Sequence, residues 1–262
     1  MENENFKILY AGYADKIEGN GKSWKVIQDN EDSRKIALEE GYTALSTTSF
    51  SYEPEAGRPE PIRYGSLFMD IDCKSDPTRS IKFAREFILA RLHGNYGVNL
   101  SSLKYWISGG KGCHIEIPAE TFGGEDGHPY LPLIYKDMMK FMTRRFRDKD
   151  LENIVDLQMY NMGKGRLLRC ENIMRPNGRY KVQVNADEML NLEAEQLLDM
   201  TDKPRFDLPF VTLPPHRIGL AYLYESSMNL LNLLNKNKHA KLGLNVSVYG
   251  FLDTFWLIKP RR

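Results

Sequence analysis

The apolar and polar positions of the chain change period repeatedly, and each change marks an element. Tyr52 to Pro61 holds three prolines and four charged residues and reads as a loop. Ile62 to Asp72 is an apolar run ending in Ser66-Leu67-Phe68-Met69-Asp70-Ile71-Asp72, which predicts a buried strand. Asp76 is a suitable N-cap and Pro77 a suitable first helical residue. The helix they open carries Ile81, Ala84, Ile88 and Leu92 on one face and stops at Gly94. Leu103 to Ser108 and Cys113 to Pro118 are short β-like runs joined by Gly109-Gly110-Lys111-Gly112, the pattern of a hairpin.

Gly123 to Pro132 reads as a loop, and a helix is expected from Leu133 to Arg147 with Arg144, Arg145 and Arg147 at its basic end. Asn153 to Tyr160 and Tyr180 to Val184 read as strands. Asn185 caps a helix to about Met200. Leu220 to Leu234 predicts a leucine-rich helix, and Val246 to Ile258 is β-like. Strands and helices are interspersed, so the class is α/β or α+β.

The 262 residues suit one large unit or two interlocked ones. Hydrophobic residues at 42% and charged residues at 27% exclude disorder, collagen and coiled coil. No apolar run reaches the ~18 residues of a membrane span. The opening Met-Glu-Asn-Glu-Asn is not a secretory signal. Cys73, Cys113 and Cys170 are odd in number and form no CxxC, which argues against a disulfide framework or a zinc ribbon and makes a reducing cytoplasm the expected compartment. The net charge of +1 does not advertise a nucleic-acid binder, but binding depends on local stripes rather than totals.

Candidate chemistry lies in three places. A strand alternates faces, so Asp70 and Asp72 point one way and Ile71 the other. Two carboxylates there repel unless a cation sits between them, and Mg²⁺ or Mn²⁺ prefers oxygen ligands. Asp156, inside the apolar Ile154-Val155-Asp156-Leu157, is a third candidate. Ser108, Gly109, Gly110, Lys111 and His114 form a glycine-rich turn whose amides could face an anion, although no Walker A pattern is present. Lys164-Gly165-Arg166-Leu167-Leu168-Arg169 offers guanidinium forks suited to phosphate. Each segment also has a plain reading: a solvated strand end, a glycine hairpin with a core histidine, and a basic edge. Taken in order they describe a site for a nucleotide triphosphate with divalent metal.

In this order the sequence resembles the archaeo-eukaryotic primase superfamily, the primase-polymerases. Phe68-Met69-Asp70-Ile71-Asp72 matches the first motif of the family, a hydrophobic strand ending in DxD. Ser108 to His114 matches the second, in the form found in the polymerase modules of bacterial end-joining ligases. Asp156 matches the third. Arg166-Leu167-Leu168-Arg169 and Asn177-Gly178-Arg179-Tyr180-Lys181 are more similar to the plasmid-, phage- and CRISPR-associated members. The resemblance covers about residues 60 to 200.

The resemblance implies an α+β fold with an RRM-like sheet module carrying the acids, packed with an N-terminal α/β module, the active site lying in the cleft between. Residues 1–204 would form the catalytic core and 205–262 an extension that closes it or leads to a further domain. Asp70, Asp72 and Asp156 would ligate two Mg²⁺ or Mn²⁺ ions, with no zinc. Ser108, Gly109, Gly110, Lys111, His114, Arg166 and Arg169 would hold the triphosphate. Partners would be (d)NTPs, a single-stranded DNA template and primer, and a helicase or other replication domain, with no membrane. For the template, Lys104, Tyr105, Trp106, Arg144, Arg145 and Arg147 are the available basic and aromatic residues. The implied activity is two-metal nucleotidyl transfer onto a 3′-hydroxyl, with chains started de novo. The alternatives are a primer-dependent gap-filling polymerase and a catalytically degenerate RRM-like binding module. A rolling-circle nuclease needs a His-hydrophobe-His pair, which His93, His114, His128, His216 and His239 do not form.

Overall fold

The computed structural model describes residues 7–15, 19, 21–51, 61–144, 154–163, 165–207, 209–213 and 218–239. The expected ends at Arg145 and Arg147, Lys164, most of the Tyr52–Pro61 loop and the Val246–Ile258 segment lie outside them. The chain builds two antiparallel sheets with flanking helices, a mixed α+β arrangement.

The first sheet holds β1 (Lys7–Gly12), β2 (Lys25–Gln28), β3 (Ala44–Ser46), β4 (Ser49–Ser51), β5 (Arg63–Tyr64) and β9 (Leu167–Arg169). β1 is its axis, pairing with β2, β3 and β4. Helix α1 (Glu31–Glu39) starts where the Asn30 side chain accepts the Ser33 amide, and Ala37 packs with Leu9, Ala11 and Ile27 in a small core.

The second sheet runs β10–β7–β8–β6, with β6 at Leu67–Asp72, β7 at Lys104–Ile107, β8 at Gly112–Ile117 and β10 at Val182–Val184. Helix α2 (Pro77–Phe87) opens as its sequence predicts, Asp76 accepting the Thr78 amide at 3.0 Å. It continues as a π-helix over Ile88–His93 that Gly94 closes. Helix α3 (Leu131–Thr143) covers the same face. Leu67, Met69, Ile71, Ile115 and Ile117 point into this large core together with Ile81, Phe87, Ile134 and Met138. Beyond β6, Val155 makes an antiparallel bridge to Ile71, with Asp72 N donating to Ile154 O at 2.8 Å and Asp156 N to Asp70 O at 2.9 Å. Counted from β6, the elements run β-α-β-β-α, after which the single Val155 bridge lies beside β6 and β10 adds the fourth strand at the other edge, beside β7.

Four expectations need correction. The run Ile62–Asp72 is two strands in two sheets, broken at Gly65, where φ is 139° and a Cβ would lie 2.6 Å from the Thr47 carbonyl oxygen. Asn153–Tyr160 is not a strand: beyond the bridge at Val155 it turns into a 3₁₀ helix over Leu157–Tyr160, capped by Asp156. The helix expected after Asn185 breaks at Leu192 into α4 (Ala186–Asn191) and α5 (Ala194–Asp199). A capping box between Asn185 and Glu188 starts the first, and Arg85 holds the elbow by donating to the Met189 and Leu192 carbonyls. The helix expected at Leu133 starts two residues earlier, at Leu131, because Pro132 fits its first turn.

Helix α6 (Ile218–His239) packs on α3: Leu220, Leu223 and Tyr224 join the large core, and Ser227 Oγ donates to Asp137 Oδ2 at 2.9 Å. Among the described residues, no helix is long and apolar enough to cross a membrane.

Candidate functional site

The open face of the second sheet carries the residues the core face cannot. From β6 these are Phe68, Asp70 and Asp72; from β8, His114 and Glu116; from β7, Lys104 and Trp106. Register sets Asp70 against His114, His114 against Trp106, and Trp106 against Gln183 in one row across all four strands. The Val155 bridge sets Asp156 opposite Asp70, on the side away from Ile71. The three aspartates chosen from sequence therefore share one sheet face.

Their environments differ. Asp70 is 7% exposed, and His114 Nε2 stands 3.2 Å from its Oδ1, an ion-pair distance without hydrogen-bond alignment. Burial pushes the Asp70 carboxyl up, but pairing with His114 and the charges of Arg166 and Lys181 outweigh it and hold the group below the ordinary aspartate range. Asp72 goes the other way: burial and then repulsion from Asp70 raise it, and His114, Lys111 and Arg175 compensate only in part. Asp156 Oδ1 accepts the Gln158 amide at 2.8 Å, and Oδ2 lies 3.4 Å from Arg166 Nη2. Asp70 Oδ1 and His114 Nδ1 are buried with no hydrogen-bond partner. Among the described residues, no three His, Cys, Asp or Glu side chains are gathered closely enough to hold a metal as they stand.

The glycine turn is built mainly by protein contacts. Ser108 is buried, and its Oγ accepts the amides of Gly110 at 3.3 Å and Gly112 at 3.2 Å. Ser108 thus shapes the turn, and two of the amides expected to face an anion are already taken. Gly109 has φ 67°, and a Cβ there would lie 2.3 Å from the Tyr180 carbonyl oxygen. A Cβ at Gly112 would lie 1.9 Å from the Ile71 carbonyl oxygen. Lys111 remains exposed beside Asp72.

The two arginines of the basic stretch separate. Arg166 is exposed at the acids. Arg169 is buried, and its Nη1 donates to Met174 O at 3.4 Å. It supports the hairpin whose strands meet at Met174 and Tyr180. That hairpin brings in a residue the sequence reading missed. Arg175 Nη1 donates to Ser108 O at 3.0 Å, its guanidinium lies against Gly110, and its charge is felt by Asp72. Asn177 Nδ2 donates to Gly109 O at 2.9 Å from the same hairpin. The signal for Arg175 was the Asn177-Gly178 turn, which folds the chain back on itself (Arg175 N to Arg179 O, 2.7 Å).

Of the residues expected to carry a template, Lys104 and Trp106 line a cleft, and Arg145 and Arg147 lie outside the described residues. Tyr105 is in the core, Lys104 Nζ pairs with Glu116 at 3.6 Å, and Trp106 is enclosed. The Trp106 ring stacks on Phe68 with Lys181 Nζ 4.8 Å from its centroid, and its Nε1 donates to Glu171. Behind it a cleft of about 640 Å³ separates the two sheets, lined by Lys181, Gln183, Arg169 and Glu116 among others.

No protein-family model matches the chain, and a search of curated proteins finds no match.

Proposed function

We propose that the chain is a template-dependent DNA primase-polymerase that transfers nucleotides from (d)NTPs onto a 3′-hydroxyl. The observation that carries this reading is the gathering of Asp70, Asp72 and Asp156 on one open sheet face, ringed by His114, Lys111, Arg166 and Arg175. The β-α-β-β-α order around that face supports its RRM-like module, with the first sheet as the N-terminal partner module.

The donor set suits a hard divalent cation. It consists of carboxylate oxygens, one of them buried without a hydrogen bond, and the mutual repulsion of Asp70 and Asp72 is what a cation would relieve. Asp70, Asp72 and Asp156 would hold Mg²⁺ or Mn²⁺. A cation bound there supplies Lewis-acid activation of a hydroxyl and neutralises charge on the triphosphate. The chain's own residues do the rest. His114, Lys111, Arg166 and Arg175 bind phosphate oxygens around the acids, Lys111 and Arg175 beside Asp72 and Arg166 beside Asp156. Ser108 and Asn177 fix the turn that carries Lys111. Arg169 steadies the hairpin that carries Arg175. Fixed charges of this kind act where the transition state spreads negative charge over phosphoryl oxygens.

The test is incubation with primed and unprimed single-stranded DNA, labelled nucleotides and Mg²⁺ or Mn²⁺. Product in both lanes, lost in an Asp70→Ala, Asp72→Ala double variant, is the expected result. Product only with primer favours a gap-filling polymerase. DNA binding without product favours a catalytically degenerate module, and product from the double variant refutes the assignment of the acids.

A further inference from the structure

A second groove, of about 680 Å³, lies between the β1–β2 connection and the start of β9. Tyr13, Lys22 and Trp24 line it from the first segment and Arg166 from the second. Trp24 is 36% exposed, with Tyr10 tilted against it at 6.2 Å between ring centroids. The residue beneath it, Gly12, leaves it room: a Cβ there would stand 2.9 Å from the indole and 2.5 Å from Leu167. Lys22 Nζ sits 5.6 Å from the Tyr13 ring centroid. Two aromatic rings and two exposed cations thus line one groove, with Tyr42 packed against Tyr13 at 5.2 Å between ring centroids.

The groove opens on the acid face. Arg166 belongs to both, since it lines the groove and pairs with Asp156 at 3.4 Å. Bases stack on aromatic rings without regard to sequence, and cations follow the backbone phosphates.

We propose that this groove binds a single strand of nucleic acid, with bases on Tyr13 and Trp24 and phosphates on Lys22 and Arg166. That the strand is a template rests on the functional reading above. The binding itself needs neither metal nor nucleotide.

The experiment measures binding of a fluorescein-labelled oligo-dT by anisotropy in EDTA, with thermal melting as a folding control. Trp24→Ala is expected to weaken binding about tenfold. Lys22→Glu, at an exposed position, is expected to weaken it similarly and to flatten the salt dependence. Unchanged binding in both Trp24→Ala and Lys22→Glu overturns the proposal. So does displacement of the strand by dATP in EDTA, which would give the groove to the nucleotide's own base. Trp24-dependent binding by a wild-type protein that extends no primer upholds the groove and refutes the polymerase reading alone.

Discussion

Gly109 and Gly110 are neighbours in one turn, yet alanine at the two positions should fail differently. At Gly109 the backbone is left-handed, with φ 67°, and the new Cβ would meet the Tyr180 carbonyl oxygen at 2.3 Å. The conformation costs alanine about 1–2 kcal/mol. Moving Tyr180 also endangers the Asn177 bond to Gly109 O, a further loss of about 1 kcal/mol. Together these give about 2–3 kcal/mol, or a fall in Tm of about 4–12 °C for a chain of this size. At Gly110 a Cβ would lie 2.9 Å from Arg175 Nη2, the mobile end of a side chain. The guanidinium can swing aside only by giving up its bond to Ser108 O, so stability should fall by about 1 kcal/mol, without the backbone strain of Gly109. Nucleotide affinity should fall about tenfold, because a charged hydrogen-bond donor has been displaced. Calorimetric melting and titration with a fluorescent triphosphate separate the two effects. A Gly109→Ala protein melting with the wild type, or a Gly110→Ala protein of normal affinity, refutes the reasoning.

Other predictions follow from the same geometry. Arg166→Ala should abolish extension while leaving chemical denaturation unchanged, whereas Arg169→Ala should lower stability by at least about 1–3 kcal/mol through the buried groups it leaves unpaired. The Asp72 carboxyl is raised by burial and by Asp70, so the fold disfavours its charged form and stability is lost as pH rises through its folded pKa. Asp72→Asn should therefore melt higher than the wild type at pH 7 and equally below about pH 3, as scanned across pH by calorimetry. Asp70→Asn should lower the Asp72 pKa, read by carboxyl NMR titration. Tyr160→Phe should cost about 1–3 kcal/mol in urea unfolding, because Phe68 O loses its hydroxyl donor in a buried place.

The sequence made the second sheet legible because its signals were local. Asp76-Pro77 marked a helix start, the glycine run a hairpin, and the alternation around Ile71 the face on which Asp70 and Asp72 lie. The first sheet was not read, because its strands are two to six residues long and pair mostly across the chain, as β3 does with β9. Asp156 lies opposite Asp70, but not on a strand: one bridge suffices to place it, and the chain then turns. Arg175 stayed hidden because its position depends on a hairpin folding back over Gly110 from 65 residues away, a contact no spacing rule encodes. Tyr105 and Trp106 are adjacent in sequence but part company across β7: Tyr105 enters the core, and Trp106 lies on the other face between Phe68 and Lys181 at the edge of the cleft.

The most direct test of template-directed synthesis uses a primer annealed to each of the four homopolymer templates, with one labelled nucleotide supplied at a time. The account predicts that the complementary nucleotide alone is incorporated on each template, and that Asp70→Ala, Asp72→Ala incorporates none. Incorporation that ignores the template, or that survives loss of both aspartates, would contradict it.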